Sequence, residues 1–285
     1  MTMQLKLPNI VFGGTNKRLL TDSMINSGSL LLIDPQSPLN PMSKLVIGQS
    51  VPNLAEGTMA ALTGVQSEFS FMLSGFKGEK YIFELTNKGG IHVAVPTTIT
   101  QGRGWYPSIG MLWPQELLDY LNSNPTHQLY ISTWTSASRL DTNAINTPFM
   151  NLGTVDNTTN YRAIFDVKSD LPTGASRLGY YKSGEDTVGA GTMRAIAVNS
   201  YTGSEIPYYT NFVFGTGPMD RPITQGQTGK WPAMILYRLY VEDLTVSGNT
   251  FDSVVAKDKA LYQKDVMTAG GRYYGDTYTN PATIG

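Results

Sequence analysis

Two histidines, His92 and His127, are the scarcest side chains suited to acid–base or metal chemistry in this chain. A Ser-His-Asp triad would have to use one of them, and a zinc site would need carboxylates beside them. His92 lies in the apolar run IHVAV, and His127 follows Pro125 and Thr126 at a turn. Neither has a second histidine at metal-binding spacing. We therefore expect ordinary hydrogen-bonded histidines, with no catalytic residue, no metal ligand and no cofactor.

Other short patterns give the same prediction. Ser74 and Lys77 have the Ser-x-x-Lys spacing of acyl-enzyme hydrolases, but FMLSGFKGEKYIF is typical of strands with a turn, whereas this chemistry needs a helix. Glu242 and Asp243 are the nearest acidic pair, and neighbours on a strand point to opposite faces, so they cannot share one cleft. The glycines of GAG and GTG follow strands but open no helix, so no phosphate loop is expected.

The aromatic residues Trp105, Tyr106 and Trp113 form a suggestive group in the segment QGRGWYPSIGMLWP. Sugar-binding sites stack apolar pyranose faces on such rings beside a few polar groups. The alternative is that the rings cover one end of a sandwich or fill an interface between subunits, where Trp and Tyr are equally favoured. We favour the second hypothesis, because interface aromatics need no further site chemistry.

Charge and cysteine content exclude several classes of function. The chain of 285 residues has 21 basic and 22 acidic side chains, which argues against nonspecific nucleic-acid binding. Its charged fraction of 15% is low, which suits a subunit covered by neighbours but also a weakly charged monomer. The absence of cysteine excludes disulfides, thiolate metal sites and thiol nucleophiles. No apolar run is long enough for a membrane helix, and MTMQLKLPNIVFGG does not resemble a signal peptide, so we expect neither membrane insertion nor secretion.

Most of the chain predicts strands separated by turn residues. Apolar and β-branched runs indicate strands at 29–33, 68–73, 81–85, 91–95, 128–134, 161–167, 192–198, 209–214 and 234–244. A short central helix is expected to begin at Pro114 and to end by Asn122. Many strands, few helices and no βα alternation favour an all-β, mainly antiparallel sandwich.

The two ends of the chain differ from this central pattern. The proline-rich residues 1–60 predict an extended N-terminal arm with one paired strand, or else an irregular edge of the main domain at 61–285. The strand at 234–244 has one apolar face and one mixed face, with Arg238 and Glu242 available for partner contacts. Thr250 is a suitable N-cap for a helix over 250–268, followed by a glycine-rich tail at 269–285.

Residues of the last 55 positions carry a family resemblance. LYRLYVEDLTVSGNTF followed by GGRYYGDTYTNPATIG resembles the C-terminal part of tailed-bacteriophage virion proteins with a concanavalin A-like lectin/glucanase domain. SGSLLLIDP and LYISTWTSASR also resemble that group. The resemblance implies a jelly roll of two antiparallel sheets, a structural or adhesive role, and a virion protein made in the host cytoplasm. The Glu-x-Asp-x-x-Glu strand of the glucanases is missing, as is a counterpart of the legume-type metal site.

These observations predict a non-enzymatic virion subunit of the head, neck, collar or tail. Its arm, tail and sandwich surface are expected to contact its own copies and other virion proteins. An adhesin that binds a host surface glycan is the alternative, and a polysaccharide depolymerase is less favoured because it needs paired carboxylates. The candidate assembly contacts are Leu7, Ile10, Phe12, Tyr273, Tyr274 and Tyr278.

Overall fold

The computed structural model describes residues 22–76, 78–97, 107–140, 148–153, 161–166, 177–184, 187–199, 206, 212–217 and 231–285. Within these ranges the chain forms two antiparallel sheets and a few short helices. The mainly antiparallel β class predicted from the sequence is therefore confirmed.

The larger sheet is built around one long strand near the C-terminus. Its seven strands within the described ranges are β1 (Ser29–Ile33), β4 (Ile82–Leu85), β5 (Ile91–Ala94), β7 (Leu129–Arg139), β10 (Arg177–Ser183), β11 (Gly191–Val198) and β13 (Ala233–Asp243). They follow the order β10-β11-β7-β13-β5-β4, and β1 also pairs with β13. One edge of β13 is shared, because β5 pairs with its first half and β1 with its second half.

The smaller sheet supplies the opposite layer. Its six described strands are β2 (Ser50–Val51), β3 (Phe69–Ser74), β6 (Ser108–Leu112), β8 (Pro148–Gly153), β9 (Tyr161–Asp166) and β12 (Phe212–Thr216), in the order β2-β3-β6-β12-β8-β9. Apolar side chains of both sheets form one buried cluster, in which Phe71 and Phe214 of the smaller sheet join Leu236 of the larger sheet. The molecule is thus a two-layered β structure with its main core between the sheets.

Helices occupy the connections and the end of the chain. They are α1 (Glu56–Thr63), α2 (Gln115–Ser123), α3 (Leu244–Ser247) and α4 (Phe251–Tyr262), with a π-helical turn at Gln263–Met267 and a 3-10 turn at Pro281–Ile284. The predicted central helix is confirmed as α2, which Pro114 precedes. Thr250 caps α4 through a reciprocal capping box with Ser253, as expected for an N-cap. None of the helices in the described ranges is long and apolar enough to cross a membrane.

Helix α4 covers the outer face of the larger sheet. Gly179 of β10 makes room for it, because a Cβ atom there would lie 2.3 Å from the Phe251 ring. A second buried cluster forms beneath the helix, and it includes Trp134, Tyr240 and Tyr262. The prediction that Arg238 and Glu242 are available to partners is wrong, since both side chains are buried under the chain's own C-terminal segments.

Both ends of the described chain pack against this body. The strand predicted at 29–33 is confirmed as β1, and Leu30, Leu31 and Leu32 are fully buried in the larger sheet. From residue 22 the predicted arm is therefore part of the body. Residues 1–21, with Leu7, Ile10 and Phe12, lie outside the described residues.

Candidate functional site

A buried network of charges joins the outer face of the larger sheet to the C-terminal segment. The Arg238 guanidinium lies 2.7 Å from carboxylate oxygens of both Asp22 and Asp34. Arg272 also pairs with Asp34, at 2.8 Å, and with Asp265, at 2.7 Å. Burial alone would raise the pKa of Asp22, but Arg238 outweighs it and holds that pKa below its usual value. Since each of these charges is paired within the chain, the network anchors the fold and offers no ligand site.

A second buried carboxylate attaches helix α4 to the sheet. Asp258 accepts hydrogen bonds from the Tyr130 hydroxyl at 2.8 Å, the Ser132 hydroxyl at 2.5 Å and the Trp134 indole N–H at 2.9 Å. Burial raises the pKa of Asp258, although Arg238 and these donors oppose the shift. The three donors satisfy the carboxylate, so this cluster is also structural.

His127 belongs to a third cluster, at the end of β13. Its Nδ1 atom lies 2.6 Å from Asp243 Oδ2, to which the Tyr120 hydroxyl also donates at 2.7 Å. Among the described residues no hydroxyl is hydrogen-bonded to the other ring nitrogen. A histidine and an acid without a nucleophile do not make a triad. His127 is hydrogen-bonded within the chain, and the absence of a catalytic or metal role stays a prediction.

His92 on β5 connects a serine on β7 to a carboxylate on β4 in the larger sheet. Its Nε2 atom lies 2.7 Å from Ser138 Oγ on β7, and its Nδ1 atom lies 2.9 Å from Glu84 Oε1 on β4. These are the two nitrogens that a Ser-His-acid triad uses for its nucleophile and its acid. We call Ser138, His92 and Glu84 the histidine relay.

Exposure shows that the histidine relay is inverted relative to a catalytic triad. Ser138 is 7% exposed and His92 is fully buried, whereas the Glu84 side chain is 31% exposed. In a catalytic triad the acid is the buried end and the serine meets the substrate. Here the carboxylate faces solvent and the hydroxyl is enclosed. The geometry thus supports an oriented surface carboxylate rather than a nucleophile.

The protonation states of the relay agree with this role. Burial lowers the pKa of His92, and hydrogen bonding and attraction to Glu84 only partly oppose it, so the imidazole is held neutral. Burial alone would raise the pKa of Glu84, but hydrogen bonds from His92 and Thr279 outweigh it and keep that pKa below its usual value. Glu84 therefore stays ionised, with a fixed orientation.

Glu84 lies on the wall of an open groove. We call residues 272–285 the C-terminal strap, and the groove lies where this strap is hydrogen-bonded to the hairpin of β4 and β5. It is lined by Glu84, Leu85, Thr86, Asn87, Thr277, Tyr278 and Thr279. The groove therefore brings together parts of the chain that are some 190 residues apart in sequence, as the Thr86–Asp276 contact shows.

Hydrogen bonds fix both walls of the groove. Thr279 donates its backbone N–H to Glu84 Oε1 at 2.9 Å and its hydroxyl to Glu84 Oε2 at 2.7 Å. Asp276 accepts from the Thr86 hydroxyl at 2.5 Å and from the Lys88 backbone N–H at 2.8 Å. These hydrogen bonds hold the strap against the β4–β5 hairpin.

The aromatic candidates of the central segment do not form a surface site. Trp113 is fully buried, and its indole N–H donates to the Asn151 carbonyl at 2.8 Å. Its assignment to a glycan or subunit contact is therefore wrong, because β6 leads it into the core between the sheets. Trp105 and Tyr106 lie outside the described residues.

The candidate assembly tyrosines of the strap have different environments. Tyr273 is 2% exposed, because its hydroxyl donates to Asp34 and its ring packs 4.7 Å from that of Tyr237. The prediction of an assembly contact is wrong for Tyr273, since the chain itself buries it. Tyr278 is half-buried beside His92 in the groove. Tyr274 is 46% exposed, and its role in assembly stays a prediction.

The weak sequence patterns have ordinary structural places. Ser74 ends β3, and its predicted partner Lys77 lies outside the described residues. Glu242 accepts from Tyr240 and Asn249, while Asp243 contacts Tyr120 and His127. Glu242 and Asp243 therefore have separate surroundings, as strand geometry predicted. Across the described ranges, no group of three or more histidine and acidic side chains could hold a metal ion.

Sequence reasoning missed the histidine relay and the groove. One signal was present, because Glu84 and His92 stand on strands flanking the turn residues KGG and occupy paired positions in the hairpin. Ser138 and Thr279 carried no comparable signal, since each meets the hairpin only through the tertiary fold.

Comparisons with known proteins add no assignment: no family model matches the chain, and neither the curated proteins nor the solved structures contain a significant match.

Proposed function

We propose that this protein is a non-enzymatic structural subunit of a tailed-bacteriophage particle. The observation that carries the proposal is the order of strand β13, helix α4 and C-terminal strap, which spans the residues that resemble such virion proteins. The two antiparallel sheets are compatible with the jelly-roll, concanavalin A-like architecture that the resemblance implies. We place the subunit in the head, neck, collar or tail of the virion.

The described surface supports a role in assembly. Leu178, Val188, Met72, Tyr81 and Tyr274 are large apolar side chains that are each at least 40% exposed. Single exposed apolar residues are also common on monomers, so these positions name candidate contacts with further copies or with other virion proteins rather than an interface. The inverted histidine relay supports a role without turnover, because its serine cannot meet a substrate.

The first 21 residues provide the sharpest test of assembly. Among the residues that the structure describes, the core between the sheets begins at Leu30, and we expect a chain that begins at residue 22 to keep the circular dichroism spectrum of the full chain. We expect the full chain to form oligomers in light scattering and to enter particles, and the truncated chain to do neither. A matched control replaces Thr2, Gln4 and Asn16 with alanine and keeps Leu7, Ile10 and Phe12. Normal incorporation of the truncated chain would remove the arm from the mechanism.

The groove beside Glu84 is the described feature that favours an adhesin as the second candidate. A depolymerase has less support, because the adjacent carboxylates Glu242 and Asp243 are buried apart from each other.

A further inference from the structure

We propose that buried ion pairs couple Asp22, where the N-terminal arm joins the body, to the C-terminal strap, so that withdrawal of Asp22 loosens the strap. The residues that form this charge network are Asp22, Asp34, Asp265, Arg238 and Arg272. Because they all belong to one chain, the coupling is a property of a single subunit and does not rest on assembly into particles.

Asp34 is the residue that both arginines of the charge network share. Its Oδ2 atom accepts from Arg238 at 2.7 Å and from Arg272 at 2.8 Å. Its Oδ1 atom accepts from Arg272 at 2.9 Å and from the Tyr273 hydroxyl at 2.8 Å. One buried carboxylate therefore holds both strand β13 and the beginning of the strap.

Asp22 determines how Arg238 divides its contacts. The two carboxylate oxygens of Asp22 accept from both terminal nitrogens of Arg238, at 2.7 and 3.0 Å. The third nitrogen of this guanidinium group, Nε, is buried and has no hydrogen-bond partner among the described residues. Without Asp22, a second nitrogen of Arg238 would also lack an acceptor, which is costly for a buried charge. Asp34 is the carboxylate already in contact with Arg238 and can shift toward it.

A shift of Asp34 toward Arg238 weakens the attachment of the strap. Arg272 and Tyr273 would keep longer and less well aligned hydrogen bonds to the carboxylate, and such bonds lose strength steeply. The charges of Asp22 and Arg272 also attract each other, and this attraction would be lost. Both effects have the same direction, so the loss of Asp22 destabilises the beginning of the strap.

Tyr237 connects the beginning of the strap to its contact with the β4–β5 hairpin. The buried Tyr237 ring packs 4.7 Å from the Tyr273 ring, and its hydroxyl lies close to the Asp276 carboxylate. Asp276 in turn accepts from the Thr86 hydroxyl and from the Lys88 backbone N–H. A displacement of Tyr273 therefore disturbs the hydrogen bonds between strap and hairpin through packed side chains.

This coupling gives the arm an effect beyond its own contacts. Any partner that draws residues 1–21 away from the body pulls on Asp22 and, through the charge network, loosens the strap. A neighbouring copy is such a partner in the proposed function, and this use of the coupling rests on that proposal. A failure of assembly and a failure of coupling remain distinguishable, because the coupling is measured on the single chain.

Amide hydrogen exchange of the full chain, measured by NMR at constant pH, tests the coupling. The reporters are the amides of Asn87 and Thr279, which donate to Thr277 and Glu84 where the strap meets the hairpin. Asp22→Asn keeps the size of the side chain and removes its charge. We expect both amides to exchange at least about fivefold faster in this variant, at the lower end of typical coupling effects.

Two comparisons separate coupling from a general loss of stability. The faster exchange should remain nearly independent of low concentrations of urea, because local opening exposes little surface whereas global unfolding exposes much. Asp252→Asn removes an exposed acidic side chain on helix α4 and should leave both reporter amides unchanged.

The reverse measurement uses the other end of the charge network. Coupling between two sites is reciprocal, so Arg272→Gln should accelerate exchange of the Met24 amide, which donates to Asp22 Oδ1 at 2.9 Å. In the double variant the two substitutions should accelerate the Thr279 amide by less than the product of their separate effects.

Three results would overturn the proposal. The first is unchanged exchange of the Asn87 and Thr279 amides in Asp22→Asn. The second is faster exchange that increases steeply with urea, since it would report global unfolding alone. The third is a pair of effects that multiply in the double variant. If Asp22→Asn does not fold, Arg272→Gln decides the matter, because unchanged exchange of the Met24 amide would exclude the coupling.

Discussion

At the scale of single residues, the attachment of helix α4 depends on the buried carboxylate of Asp258. Asp258→Ala leaves the donors of Tyr130, Ser132 and Trp134 without their acceptor. A buried donor without a partner costs about 1–3 kcal/mol, so we expect a loss of about 3–5 kcal/mol in the free energy of unfolding. Urea denaturation measures it, and Asp252→Ala on the exposed side of the same helix is the control. Equal stability of the two variants would contradict the role of Asp258.

His92 gives the strap a dependence on pH. Burial lowers its folded pKa below the usual value of 6.5, so the neutral form stabilises the fold above about pH 6.5 and this stability is lost as the pH falls through the folded pKa. Glu84, whose folded pKa is also lowered, adds a second loss at lower pH. We expect exchange of the Thr279 amide hydrogen to accelerate between about pH 7 and about pH 5, beyond the intrinsic change of exchange rate.

The control for this pH prediction is His92→Gln. Its amide can donate to Glu84 and accept from Ser138 but does not titrate. The additional acceleration should disappear in this variant, and its persistence would assign the effect to another group.

At the scale of elements, sequence periodicity predicted the strands with dense apolar patterns. The boundaries of β1 coincide with the predicted 29–33, and β13 was placed to within one residue at each end. Strand β6 was missed because Ser108 and Gly110 interrupt its apolar pattern, and β8 because it begins at Pro148 and ends at Gly153. Helix α1 was missed since it contains a glycine and buries only Met59. The sequence pattern of a strand or helix is weak where tertiary packing, rather than the alternation of apolar and polar residues, determines the structure.

The packing of α4 on β10 provides a test at this scale. Gly179→Ala would place a Cβ atom 2.3 Å from the Phe251 ring and displace the first turn of the helix. Overpacking of this kind costs about 1–3 kcal/mol, measurable by urea denaturation. Gly57→Ala in α1 is the matched control, because no atom lies within 4 Å of its new methyl group. It should stabilise the helix by up to about 1 kcal/mol. A Gly179→Ala variant as stable as the wild type would show that Phe251 has another place to pack.

At the scale of the whole molecule, sequence alternation gave neither the full face pattern of β13 nor what covers it. A register shift between Leu236 and Arg238 places Leu236 in the core between the sheets and Tyr237 in the outer cluster, against the strict alternation that was predicted. Arg238 and Glu242 were expected to meet partners, whereas α4 and the strap bury the outer face as thoroughly as the other sheet buries the inner face. The mixed composition of that face is explained by ion pairs with Asp22 and Asp34, which approach from more than 200 positions away. Such long-range pairing leaves no local pattern, and the same holds for the groove.

Removal of the strap tests the core between the sheets separately from the buried cluster on the outer face of the larger sheet. The core between the sheets contains no strap residue, whereas the outer cluster includes Tyr273 and Tyr278. A chain that ends at residue 271 should therefore retain its β-sheet circular dichroism but lose about 3–5 kcal/mol of stability, because it loses the buried ring of Tyr273 and the ion pairs of Arg272. The truncation also exposes His92, so a protease should cleave the chain faster near the β4–β5 turn.

A milder variant distinguishes packing from hydrogen bonding in that result. Tyr273→Phe keeps the ring against Tyr237 but removes the hydroxyl that donates to Asp34 and accepts from the Gln36 N–H. It should cost about 1–2 kcal/mol, less than the truncation. Global unfolding of the chain that ends at 271 would instead show that the two sheets cannot hold together without the strap. Retention of full stability would show that the strap contributes nothing to the stability of the body. Another segment could then bind at its position.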